Sequence, residues 1–162
     1  MKILKEPTIQ DLEERYVAYV SYQGNYIGNP ALFAELFGKL FGWGFQNQVM
    51  GPDTVMIAAY YDDPEVTPPD ELTLDVCMSI SKDVKGEGEI KTKNLPGGKY
   101  AVIGLELDGP EEYPASWEKI VEWVASHGLE IDISRASYEV YLNNPEEHPK
   151  KHHIVDICMA VR

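Results

Sequence analysis

Glu139 is the residue whose setting most calls for a chemical explanation, since it lies in the middle of YEVYL (residues 138–142), an otherwise aromatic and apolar stretch. In a β-strand successive side chains point to opposite faces, which places Glu139 and Tyr141 on one side and Tyr138 and Val140 on the other. A carboxylate on the inner face of a strand is costly unless it is paired, hydrated or set in a cleft that receives a cation. It suits two kinds of chemistry: charge complementarity to a cationic ligand, and general-base action on water. The competing reading is an edge-strand acid facing solvent. His153 opens a second strand-like stretch, HIVDICMAV, and a hairpin of this length brings it to the strand beside Glu139, unless it is only the solvated end of the loop. Tyr113 stands directly before Pro114, which begins a helical pattern, and Trp117 follows one turn later. Aromatics at that spacing also fit an ordinary core. There is no Ser-His-Asp order, Gly-rich phosphate loop or HExxH, and the GG pair of LPGGKY joins two strands with no helix after it.

The elements that must position these residues are written twice. SYEVYLNNPEEHPKKHHIVDICMAVR repeats the strand, proline-bracketed loop and strand of MIAAYYDDPEVTPPDELTLDVCMSI, with Tyr60 on Tyr141, Pro64 on Pro145, Asp75 on Asp156 and Cys77 on Cys158. Each pair is 81 residues apart (141 less 60), half of the 162-residue chain. Ala58 falls on Glu139, so the copies differ in charge at the position of interest. The helices repeat too, at an offset of 84 (114 less 30): PALFAELFGKLFGW aligns with PASWEKIVEWVASH, putting Phe33 on Trp117 and Leu36 on Ile120. Pro30 and Pro114 suit first helical turns, and Gly128 suits a C-terminal cap. Strands are expected over 14–22, 56–61, 73–80, 89–93 and 99–107, and the three-proline loop DDPEVTPPDE is expected to hold no regular structure. The pattern predicts an α+β fold of two strand-helix-strand-strand modules, about 12–81 and 88–162, within one domain spanning 1–162. Two such modules pack most simply as a mostly antiparallel sheet with both helices on one face and a groove at the seam.

Composition narrows the function classes. With 27 acidic against 14 basic residues the net charge is −13, and the basic stripe that neutralises phosphates in DNA-binding proteins is missing. Direct DNA binding is not expected. The acidic excess fits solubility, attraction of cationic small molecules or mimicry of a nucleic acid. No apolar run approaches the roughly 20 residues of a membrane span, and MKILKEPTIQDLEERY lacks the pattern of a secretory signal, so a cytoplasmic location is the expectation. The two cysteines form no ligand spacing, and neither a metal nor a cofactor is expected.

Three stretches, YYDDPEVTPPDELTLDVCMSI, LPGGKYAVIGLELDGPEEY and SYEVYLNNPEEHPKKHHIVDICMAV, resemble the gyrase-inhibitor-like (GyrI-like) proteins. These are the stand-alone relatives of the effector-binding domain of AraC-type and MerR-type multidrug-responsive regulators. The resemblance covers nearly all of residues 12–162 and implies a duplicated fold with a pseudo-twofold axis. It implies a pocket for hydrophobic, often cationic, aromatic compounds, with Glu139 answering the charge and Tyr113 contacting the ligand. Around them Trp117 and Tyr141 supply aromatic faces, and Phe33 best matches an aromatic of the first helix. A family tyrosine at the start of the last strand is His153 here, which suggests a more polar or pH-sensitive mouth. The resemblance also leaves open two alternatives: hydrolysis of reactive cyclopropane-type genotoxins with Glu139 as the catalytic group, and modulation of DNA gyrase or partnership with a separate regulator.

Overall fold

The computed structural model describes residues 1–162 as eight strands and two helices: β1 (Lys2–Leu12), β2 (Arg15–Gln23), α1 (Pro30–Gln46), β3 (Met56–Tyr60), β4 (Thr73–Ser79), β5 (Lys91–Leu95), β6 (Gly98–Leu107), α2 (Tyr113–Ser126), β7 (Ser137–Tyr141) and β8 (His153–Ala160). They form two compact units. One is Glu14–Pro96, and the other joins Met1–Glu13 to Gly97–Arg162. No helix is long and apolar enough to cross a membrane.

In the first unit β2 lies between β4 and β5, and β4 also pairs with β3, all antiparallel. Helix α1 starts where Asn29 accepts a hydrogen bond from the Leu32 amide (3.2 Å) and Pro30 takes a first-turn position that needs no amide donor. Its inner face buries Leu36, Leu40 and Trp43. Gly44 is buried against Met50 and Met78, each 3.0 Å from where a Cβ would stand, so the lack of a side chain lets the helix pack closely.

The second unit has the same strand order: β6 lies between β8 and β1, and β8 also pairs with β7. Alternate residues of β6 (Ala101, Ile103, Leu105, Leu107) and β8 (Val155, Ile157, Met159) share a core with Ile120 and Val124 of α2. Each such Leu, Ile or Val contributes about 1.5–3 kcal/mol by leaving water. The helix ends at Gly128, whose φ of +67° is the left-handed conformation that glycine adopts without steric cost.

Three expectations need correction. Residues 2–12, which carry no alternating pattern, form β1, an almost wholly exposed strand held by pairing with β6. Its register shifts between Ile3 and Thr8, around Pro7, as an edge strand allows. The strand expected at 89–93 to open the second module is Lys91–Leu95, and it pairs with β2 of the first unit. LPGG is consequently no hairpin turn. Gly98 takes a φ of +120°, and the Arg135 guanidinium comes within 2.8 Å of where a Cβ would stand. Finally, the three-proline loop contains a 3-10 turn at Pro69–Glu71, since proline's fixed φ suits the first position of such a turn. Cys77 and Cys158, which the repeat aligns, are both buried.

Candidate functional site: a buried carboxylate among aromatic rings

In the second unit the β7–β8 register sets Glu139 opposite Ile157 and Tyr141 opposite Val155, on the face that packs against α2. Glu139 is only 4% exposed. Trp117 Nε1, one turn into α2, donates to Glu139 Oε2 at 2.7 Å, and the Tyr141 hydroxyl donates to Oε1 at 2.6 Å. Strand alternation is what makes the second bond possible, since residues two apart share a face. These donors are neutral, so they orient the carboxylate and disperse its charge without cancelling it.

Tyr113 and His153 complete the group. Their side chains meet with Tyr113 Oη 3.0 Å from His153 Nδ1, and the rings stand edge to face at 5.6 Å. The Tyr113 ring also meets Tyr141 edge to face at 6.5 Å. Burial, and after it the Glu139 charge, pushes the Tyr113 hydroxyl well above its ordinary pKa, so it stays protonated. Burial holds the His153 imidazole below its usual value; the Glu111 charge opposes this and His152 adds to it. The neutral ring can then accept a hydrogen bond from the Tyr113 hydroxyl at Nδ1 while keeping its own proton on Nε2.

The structure therefore brings together Tyr113, Trp117, Glu139, Tyr141 and His153, five of the six residues singled out in the sequence. Phe33 belongs to the first unit. There it meets Tyr26 edge to face at 6.3 Å, and Tyr26 packs on Tyr60 at 5.4 Å. Ala58, which the repeat aligns with Glu139, is fully buried.

A second buried acid escaped the sequence reading. Asp75 is 2% exposed and is bonded by Ser21 Oγ, by the Tyr61 hydroxyl (2.8 Å) and by Lys93 Nζ, which also sits 4.1 Å above the Tyr19 ring. The repeat had aligned Asp75 with Asp156, and Asp156 carries the matching ion pair with Lys5 at 2.8 Å. Each lysine stands two strands away, Lys93 across β2 and Lys5 across β6, so only the repeated aspartate was visible in the sequence and its partner was not. A separate depression in the second unit is lined by Val121, Leu129, Ile131 and Ile133 near the C-terminal end of α2. It contains none of the Glu139 group.

The family described as "GyrI-like small molecule binding domain" matches residues 5–162. Among curated relatives, "DNA gyrase inhibitor 1" of Dickeya dadantii (strain 3937) is 33% identical over 112 residues, 67% of this chain and 71% of that protein. Among solved structures, the EcmrR C-terminal domain superposes with a TM-score of 0.76 at 12% identity over 99% of each chain. In the EcmrR–DNA complex the match (TM-score 0.78, 12% identity) covers 98% of this chain and 58% of the EcmrR chain. SAV2435 bound to tetraphenylphosphonium has a TM-score of 0.65 at 12% identity, covering 97% of this chain and 94% of that one. At such identities the structural likeness concerns the fold.

Proposed function

The chain belongs to the GyrI-like small molecule binding domain family, and from that premise we propose that it binds hydrophobic, cationic aromatic compounds at the Glu139 site. The observation that carries this reading is a nearly buried carboxylate oriented by Trp117 and Tyr141, with the Tyr113 ring edge to face on Tyr141. Aromatic faces attract a cation by about 0.5–2 kcal/mol each, and the carboxylate adds charge that a neutral ligand does not use. A protein of this fold, SAV2435, has been seen with tetraphenylphosphonium, a cation of this chemical class. Because Glu139 is covered by its own neighbours, an aromatic ligand must displace the partly exposed Tyr141 or Trp117 rings.

The test compares wild type and Glu139→Gln, each titrated with tetraphenylphosphonium and with neutral triphenylphosphine oxide, by calorimetry and by Trp fluorescence. Loss of a charge-assisted contact worth roughly 1.5–3 kcal/mol weakens the cation tenfold or more and the neutral compound little. Equal losses for both, or none, remove Glu139 from the site. The hydrolytic alternative uses the same carboxylate as a base on water. Incubation with a reactive cyclopropane compound, followed by mass spectrometry, distinguishes it: turnover in wild type that vanishes in Glu139→Gln makes the site catalytic. A protein-level action on DNA gyrase is a third reading, favoured by the relative named DNA gyrase inhibitor 1 and by the acidic surface. A supercoiling assay with purified gyrase decides it.

A further inference from the structure

The loop between β7 and β8, which leads into His153, carries a cluster with no part in the aromatic site. A 3-10 turn at Pro145–Glu147 ends on His148, and Lys151 takes a φ of +59°, a left-handed conformation rare for a side-chain-bearing residue. That turn folds the loop back, so that the His148 and His152 rings stack at 4.9 Å with 17° between their planes. His152 Nδ1 lies 2.6 Å from Glu106 Oε2 of β6, and its Nε2 lies 3.7 Å from Asp108 Oδ1. Strand parity explains the meeting. His153 and its cross-strand partner Leu107 face α2, so their neighbours His152 and Glu106 both face the other way.

We propose that Glu106, His148 and His152 form a binding site for a divalent transition-metal ion of the zinc, nickel or copper class. Two imidazoles and a carboxylate are the donor set these ions prefer, whereas calcium and magnesium take oxygen ligands. One donor atom from each of the three residues lies within 4.8 Å of the others. Ligand atoms around a tetrahedral zinc, at bonds of about 2.0–2.2 Å, stand about 3.3–3.5 Å apart. Closure of about an ångström or somewhat more by His148 completes the set, and the histidine and its loop are partly exposed and able to make that move. His148 would exchange the hydrogen bond it accepts from the Lys150 amide (3.0 Å), and water can replace it because Lys150 is exposed. At His152 the ion takes the place of the proton now shared with Glu106. Asp108 adds a second carboxylate beside the site, and the net charge of −13 favours any cation.

The site is independent of the proposed ligand chemistry at Glu139, and so is its test. The untagged 162-residue chain, freed of metal with a chelator, is titrated with Zn²⁺ by calorimetry, and Co²⁺ is followed by its visible absorption. The expected result is one equivalent bound by wild type, binding at least tenfold weaker in His148→Gln and Glu106→Gln, and no change in His127→Gln, which alters a histidine outside the cluster. His148 lies in the loop, so its variant remains informative if Glu106→Gln is poorly folded. Failure of wild type to bind one equivalent, or equal affinity in wild type and His148→Gln, overturns the proposal.

Discussion

At the scale of single residues, the fate of Glu139 depends on the donors that hold it. Had it been a lone buried acid, removing it would have stabilised the fold, but here it is the acceptor for Trp117 Nε1 and the Tyr141 hydroxyl. Glu139→Ala is therefore expected to cost about 1–2 kcal/mol in urea unfolding, within the range for removing a hydrogen-bond partner, while Glu139→Gln keeps an acceptor oxygen and stays within about 0.5 kcal/mol of wild type. His153 supplies a pH dependence whose sign is fixed by its lowered pKa. The unfolded chain takes up a proton near pH 6.5, before the folded one does, so stability falls as pH drops below about 6.5 toward the folded-state pKa and is fully present above it. The slope from this one group is at most about 1.4 kcal/mol per pH unit. Unfolding curves between pH 7.5 and 5 are expected to show a shallower pH slope in His153→Phe than in wild type; identical slopes would mean that His153 does not carry it.

At the scale of elements, the two units treat the same acid differently. Asp75 on β4 faces Ser21 of β2, is held by Lys93 of β5, and is 2% exposed. Its counterpart Asp156 on β8 faces Gly104 of β6, and its Oδ1 is buried without a hydrogen-bond partner. A Cβ at Gly104 would come within 2.5 Å of the Lys5 chain, which crosses the strand to reach Asp156, so any larger residue there forces the lysine to shift. Removing a lysine is costly only where the stranded carboxylate cannot reach water. Lys93→Met is therefore expected to cost about 3 kcal/mol or more. Lys5→Met should cost less, about 1–2 kcal/mol, because the Asp156 side chain keeps 16% exposure against 3% for Asp75, and parallel denaturant titrations check the contrast. The helix end follows the same reasoning: Gly128→Ala forces an alanine to a φ of +67° and should cost about 1 kcal/mol.

At the scale of the whole molecule, a net charge of −13 opposes any phosphate backbone. Gel shifts with duplex DNA at 50 mM salt are expected to show no complex tighter than about 10⁻⁶ M, the tight end of the usual non-specific range. Much of the architecture was legible in the chain itself. Both helices, with their proline starts, and six of the eight strands follow from periodicity and from the repeat, because those elements bury one face and must display it in the sequence. Strand β1 was not legible, because an exposed edge strand such as Lys2–Leu12 is held by backbone bonds to β6 and needs no apolar alternation. The allegiance of β5 was hidden for a related reason: proximity in sequence to β6 says nothing about pairing with β2. For the site, Ala58 against Glu139 in the aligned copies was enough to single out the acid. Its partners were a different matter, for the bonds from Trp117 and Tyr141, the Tyr113–His153 contact, the enclosure of Asp75 and the meeting of Glu106 with His152 all depend on registers between distant segments. Side-chain type and local spacing fix what a residue can do and which face of its own element it occupies; only the pairing of strands and the packing of a helix on them decide what it touches.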